Sequence, residues 1–341
     1  MQGLLILLSF LYILKYSVCY YKFENIKTEY DNYVIPLCIE DASTCYPFKL
    51  STSSNEILIL NGSRYNNSFN PLQSKELYIS YNYGRKHNGQ YIFGNNVKNH
   101  IFIKDTNVSL LRHKFSIIDS GLSDNVNYRG ILGFGYDFTE SGNETSLFAK
   151  LINNNYISNP VFSYGKKSLI LGDTVKLNNN SKIYKSCPIE EGETFWSLIK
   201  CKVESVIYSG KKRHKIFSMN QSIRFNIEHH EIYAPLFFYD YLLDNIFFKY
   251  IKNYICRENI NPIGDRYISC DTKHIELIEK DLIYIFIDNW NIKLRIKELF
   301  RDDVFLIFRA EWNNDWVIGH ILMDNNIVTV DKKKNKLYWN P

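Results

Sequence analysis

Ser51-Thr52-Ser53-Ser54 is the polar turn best framed for chemistry, because apolar residues run up to it from Tyr33 and Ile57-Leu58-Ile59 leaves it. Such framing predicts a strand, a tight turn and a strand, with the turn's hydroxyls held in place by the flanking pairing. A hydroxyl there can hold a water, but it cannot act as a base near neutral pH. Pairing Ser51 with His320 as a serine hydrolase finds no support from an oxyanion motif or a Gly-x-Ser-x-Gly turn; His320 reads as an interior or rim histidine. Asp119-Ser120-Gly121 is a second polar turn, and Asn226-Ile227-Glu228-His229-His230 a third. His229 and His230 are adjacent, which places them on opposite faces of a strand. No Cys-x-x-Cys and no histidine pair at ligand spacing occurs, so neither a metal nor a cofactor is expected.

These turns need a scaffold, and the composition supplies one. At 341 residues the chain can bury one large core or two ordinary ones. A hydrophobic fraction of 45% and an aromatic fraction of 16% exclude disorder. The 26 Tyr and 22 Phe, with many Ile, Val and Asn, favour strands joined by polar turns. The net charge of +5 is spread along the chain, with dense basic runs only at Lys211-Lys212-Arg213 and Lys332-Lys333-Lys334, so nucleic-acid binding is not expected.

Leu4 to Leu14 is an apolar stretch interrupted only by Ser9, followed by small residues at Ser17 and Cys19. Its length is that of a signal-peptide core cleaved between Cys19 and Tyr20 and is short for a membrane span, with an uncleaved signal anchor as the alternative. No later segment is apolar enough to span a membrane, so residues 20–341 are expected in a secreted or endomembrane (vacuolar) lumen, as a monomer. Cys38, Cys45, Cys187, Cys201, Cys256 and Cys270 then form three sequence-local pairs. A preference for short loops selects Cys38–Cys45, Cys187–Cys201 and Cys256–Cys270 from about fifteen connectivities. Sequons at Asn61, Asn66, Asn107, Asn143, Asn179 and Asn220 fit a secreted surface.

From Tyr33 to about Val175 short apolar runs alternate with Asn, Gly, Ser and Asp clusters, which predicts strands at 77–81, 91–93, 99–103 and 114–118. A helix is expected at Ser146–Leu151, burying Leu147, Phe148 and Leu151 and stopped by three asparagines. Asn178–Ser181 reads as a linker. Beyond it come strands at 195–199, 203–208 and 223–225, then a helix opened by Pro235 and running from Leu236 to about Ile255. Its expected core face is Phe237, Tyr241, Phe248, Ile251 and Ile255. Strands follow at 283–287, 304–308, 316–318 and 327–330. Two β-rich halves, each with strand, turn, strand and helix, suggest duplication.

In order and spacing the chain resembles the pepsin-like aspartic proteases. Tyr33 stands eighteen residues before Ser51, as a family Tyr stands before the first catalytic Asp. Tyr81-Asn82-Tyr83-Gly84, with Gly89 and Tyr91, resembles the flap hairpin and puts Tyr83 at the flap tyrosine. Gly130-Ile131-Leu132-Gly133-Phe134-Gly135 is close to the family's Gly-Ile-Leu-Gly-Leu-Gly. A helix and Ser168-Leu169-Ile170-Leu171-Gly172 follow in the expected order. Trp316-Val317-Ile318-Gly319, with Asp331 twelve residues on, resembles the closing motif, with His320 where the family has Asp. Counting nine back from Pro235 places the second active-site loop at Asn226.

The resemblance implies a mainly β, two-lobed acid-protease fold with a central cleft and a few short helices. Its expected segments are a signal at 1–19, a short segment at 20–32, and lobes at 33–180 and 181–341. It also implies the loss of both catalytic positions, since Asp-Thr-Gly-Ser reads Ser51-Thr52-Ser53-Ser54 and Asp-Thr-Gly reads Asn226-Ile227-Glu228. Aspartic proteolysis needs two carboxylates of which one stays protonated, and neither Ser51 nor Asn226 exchanges a proton there. Thr52 keeps the hydroxyl that ties the family's two loops together, but Ile227 cannot, and Ser53 and Glu228 put side chains where glycines allow close approach. Asp119 lies eleven residues before Gly130, too close to leave room for the flap, and reads as a turn Asp. Active members usually carry a basic prosegment of several tens of residues, against the thirteen of Tyr20–Asn32. The expectation is a pseudoprotease whose cleft, lined by Thr52, Ser54, Tyr83, Gly84 and Ile227, binds a peptide or protein. A divergent active endopeptidase with rearranged groups, and a surface-interaction protein with a filled cleft, are the alternatives.

Overall fold

A computed structural model describes residues 20–24, 26, 33–40, 42–43, 45–52, 54, 56–60, 81–87, 90–120, 129–135, 146–173, 185–190, 200–210, 214–218, 220–262, 264–275, 281–309 and 314–340, with the backbone alone at 81–87, 90–92 and 119–120. The signal segment, the linker, the expected strand at 195–199 and the sequons at Asn61, Asn66, Asn143 and Asn179 lie outside these residues.

The fold is mainly β and two-lobed, and its organising unit occurs twice. Strands Cys45–Ser51 and Ile57–Leu60 flank the first turn. Between them lies Gly130–Gly133, parallel to the first and antiparallel to the second, in register from Phe48↔Gly130 to Ser51↔Gly133. In the second half Ser222–Phe225 and Ile232–Tyr233 flank a turn, and Trp316–Ile318 lies between them with the same two senses. Phe225 pairs with Ile318, and Asn226 N–H donates to the Ile318 carbonyl at 2.9 Å, so Asn226 follows its strand as Ser51 ends its own.

Two glycines make this threading sterically possible. A Cβ on Gly133 would lie 2.4 Å from the Ser54 carbonyl, and one on Gly319 would lie 2.1 Å from that of Glu231. The third strand passes so close under each turn that only a residue without a side chain fits.

A seven-stranded sheet built around the first unit includes the hairpin of Tyr81–His87 and Gln90–Ile103, paired from Tyr81↔Asn96 to His87↔Gln90. The expected runs at 91–93 and 99–103 are parts of this one long strand. The second unit lies in an eight-stranded sheet, beside a four-stranded one. A six-stranded sheet draws from both ends of the chain, in the order Tyr21–Phe23, Ser168–Leu171, Val161–Gly165, Ile327–Asp331, Lys336–Asn340, Lys185–Pro188. Its strands pack beneath the second turn, with Phe225 on Trp339 at 5.2 Å between ring centroids. The three expected disulfides are present, Cys38–Cys45, Cys187–Cys201 and Cys256–Cys270.

The helix at Leu147–Asn153 starts from Ser146, whose Oγ accepts from Ala149 N–H at 3.2 Å, and it buries Leu147, Phe148 and Leu151. The second helix differs from expectation. It runs α-helical over Leu236–Leu242, widens to a π-turn over Leu243–Phe247, and ends with Phe248–Lys252. Its core residues are Phe238, Tyr239, Leu242, Ile246, Phe247 and Tyr250, whereas Phe237 and Phe248 are 37% and 59% exposed. Leu236 to Tyr241 is apolar almost all round, so periodicity does not choose a face. The contacts of Phe238 with Trp316 and of Phe247 with Phe305 do. His229 and His230 sit in a turn rather than on a strand, and the strand expected at 203–208 is Ser205–Ser209.

Candidate functional site

The two threaded turns meet across the lobes. Ser51 is fully buried, and its Oγ donates to Glu228 Oε2 at 2.7 Å while accepting from Ser54 N–H at 3.1 Å. Thr52 Oγ1 donates to the Phe225 carbonyl at 2.8 Å and accepts from Ile227 N–H at 3.3 Å. The tie expected to fail at Ile227 is therefore kept on one side: the isoleucine has no hydroxyl, but its backbone supplies the donor. Tyr164 OH, from the six-stranded sheet, donates to the same Phe225 carbonyl at 2.9 Å. No sequence signal marked Tyr164 for this role, because its partner lies in the other half of the chain.

Asn226 is oriented by its own turn. Its Oδ1 accepts from Glu228 N–H at 3.0 Å and lies 3.3 Å from Thr52 Oγ1, which fixes the amide with Nδ2 on the opposite side. Nδ2 has no hydrogen-bond partner among the described residues. Glu228, read from sequence as an intruder at a glycine position, is buried with its carboxylate on Ser51. A buried carboxylate needs such donors, since taking an ion out of water costs several kcal/mol. Lys49, on the strand that ends at Ser51, is held below its usual ammonium range by burial, with Glu228 and Glu231 opposing the shift. Burial likewise raises the Tyr164 hydroxyl, with the neighbouring Thr52 hydroxyl opposing the shift.

Ser54 closes the first turn, its Oγ accepting from Glu56 N–H at 3.1 Å. Leu50, Phe134, Phe162, Leu169 and Ile227 pack around Ser51 and Thr52 and leave a space too small for a water molecule. Tyr83 and Gly84 lie on the hairpin strand Tyr81–His87. Asp119 lies near the end of Ser109–Ser120, beside the irregular pairing between Phe93 and Gly94. Among the described residues no group of three or more His, Cys, Asp or Glu could hold a metal.

Behind the second turn Tyr33 is buried, its hydroxyl donating to Asp324 Oδ1 at 2.9 Å and its ring 5.4 Å from that of His320. His320 is buried and faces His230, with ring centroids 4.7 Å apart. His229 turns the other way, onto Tyr233 at 5.0 Å.

The family model described as eukaryotic aspartyl protease matches residues 61–175. That third of the chain holds the hairpin, Gly130–Gly133 and the first helix, and stops short of both the Ser51 and the Asn226 turns. No curated protein matches the chain. Over residues 61–175 this match supports the resemblance to the pepsin-like aspartic proteases.

Proposed function

We propose that this protein is a pepsin-like homologue that works by binding an extended peptide rather than by aspartic-type hydrolysis, with residues 33–180 and 181–341 as its lobes. The observation that carries the reading is the pair of residues at the turns. Ser51 and Asn226 hold the two family positions, and the bond made there joins a single carboxylate, Glu228, to a hydroxyl. An aspartic mechanism needs two coupled carboxylates, one taking a proton from water while the other donates to the carbonyl oxygen. Thr52, Ser54, Tyr83, Gly84 and Ile227 are its candidate peptide contacts, by strand-like pairing. The three disulfides support residence in an oxidising compartment, secreted or lumenal.

The Ser51–Glu228 bond also favours a second reading, a divergent hydrolase in which Glu228 is the base and Asn226 Nδ2 the donor to the carbonyl oxygen. One assay separates the two. Labelled denatured globin is incubated with the protein at acidic pH, with and without pepstatin, and both cleavage and retention of the globin peptides are followed. Retention without cleavage is expected. Pepstatin-blocked cleavage overturns the binding reading, and pepstatin-insensitive cleavage that Glu228→Gln abolishes establishes the second.

A further inference from the structure

The four-stranded sheet of the second half ends on an open edge. Its order is His214–Ser218, Ser205–Ser209, Leu282–Ile287, Trp290–Arg295. Among the described residues His214–Ser218 pairs with Ser205–Ser209 alone, from Ser205↔Ser218 to Ser209↔His214. Alternate residues of such an edge turn their N–H and C=O groups away from the sheet, where no strand meets them. His214, Lys215, Ile216 and Ser218 are exposed. Apolar side chains flank these backbone groups on both faces. On one face Ile216 is 57% exposed, beside its cross-strand partner Ile207. On the other the Phe217 ring lies 5.9 Å from that of Phe237, and Phe237 and its neighbour Leu236 are each more than a third exposed. Lys215 holds its ammonium 5.9 Å over the Phe217 ring and makes no ion pair among the described residues.

We propose that His214–Ser218 is a docking edge, in a different sheet from both turns, that takes an extended acidic segment of a partner protein as an added strand. In this mode of recognition backbone pairing supplies affinity and alternate side chains supply selectivity. Side chains on one face of the added strand would lie against Ile216, and those on the other against Phe217 and Phe237. Carboxylates suit the Lys215 end, which continues the dense basic run Lys211-Lys212-Arg213 in sequence. Charge also selects the occupant. A second copy paired here would bring a second Lys215 and a second basic run to a five-residue seam, and an edge lysine is a common device against self-pairing. A bilayer offers no strand, and its hydrocarbon would leave the outward backbone groups without partners.

The probe is the peptide Glu-Glu-Thr-Val-Thr-Val-Thr-Glu-Glu, followed by fluorescence anisotropy on the full disulfide-bonded chain and located by hydrogen exchange. It should bind at least about tenfold more tightly than the same peptide with lysines in place of the glutamates. It should slow exchange over 205–218 and leave 45–60 unchanged. N-methylation through its Thr-Val-Thr-Val-Thr centre, which keeps the charges and removes the donors, should abolish binding. Lys215→Glu should weaken binding at least about threefold, within the range of one exposed ion pair. Lys215 is exposed, so this variant should keep the parent's melting temperature. Absence of binding, equal affinity for the lysine peptide or undiminished binding of the methylated one would overturn the proposal. Protection over 45–60 instead would put the peptide at the turns and also overturn it. Sedimentation that shows a dimer dissolved by Ile216→Asp would assign the edge to a second copy, against the proposal. The globin assay does not depend on this edge, so either reading can fail alone.

Discussion

Replacing Ser51 with alanine should destabilise the protein by an amount that depends on the charge of Glu228. Ser51 is fully buried, donating to Glu228 at 2.7 Å and accepting from Ser54 N–H at 3.1 Å. A hydrogen bond to a charged group contributes about 1.5–3 kcal/mol, and a neutral one about 0.5–1.5. Ser51→Ala should therefore cost about 2–4.5 kcal/mol, the sum of one bond of each kind. Glu228→Gln keeps an acceptor and removes an ion that is expensive to bury, so by itself it should change stability by about 1 kcal/mol or less. In the Gln background the Ser51 loss shrinks to two neutral bonds, which leaves a coupling of about 1–1.5 kcal/mol. Urea unfolding of the four members of the cycle, at one pH with disulfides intact and checked for equal m-values, measures it. A coupling below about 0.5 kcal/mol would show that Ser51 and Glu228 act independently and would refute the cross-lobe bond as an energetic link.

Gly133→Ala and Gly319→Ala should each destabilise by about 3 kcal/mol or more, since the added methyl meets backbone carbonyls at 2.4 and 2.1 Å that cannot move without unthreading a strand; thermal melts of the two variants check this. Phe247→Ala should cost about 3–5 kcal/mol and Phe248→Ala about 1 kcal/mol or less, because one is fully buried and the other 59% exposed. The reverse order in denaturant melts would restore the helix face read from sequence. Tyr164→Phe removes a hydroxyl whose pKa is raised by burial above its usual 10.0. A raised pKa contributes stability that is complete below the unfolded value and lost as pH rises beyond it. The variant should therefore lose less stability than the parent above about pH 10, as alkaline unfolding titrations would show.

The sequence by itself determined the strands, because alternating apolar runs bounded by Asn, Gly and Ser leave few other ways to bury Ile, Tyr and Phe. It determined the first helix through its Ser146 cap, and the disulfides because each cysteine pair lies at most 14 residues apart. The two turns were legible as well: their pairing with Gly130–Gly133 and Trp316–Ile318 sets Ser51 and Asn226 at matching ends of their strands. Only the tertiary structure decided what those residues touch. Glu228 reaches Ser51 across 177 positions, Thr52 finds the Phe225 carbonyl across 173, and Tyr164 reaches that carbonyl from a third sheet. Local spacing carries no record of such contacts, which depend on how the lobes close on each other. The helix face after Pro235 was undecided for a related reason. A segment apolar on every side is assigned its core by its neighbours, Trp316 and Phe305, and not by its own period.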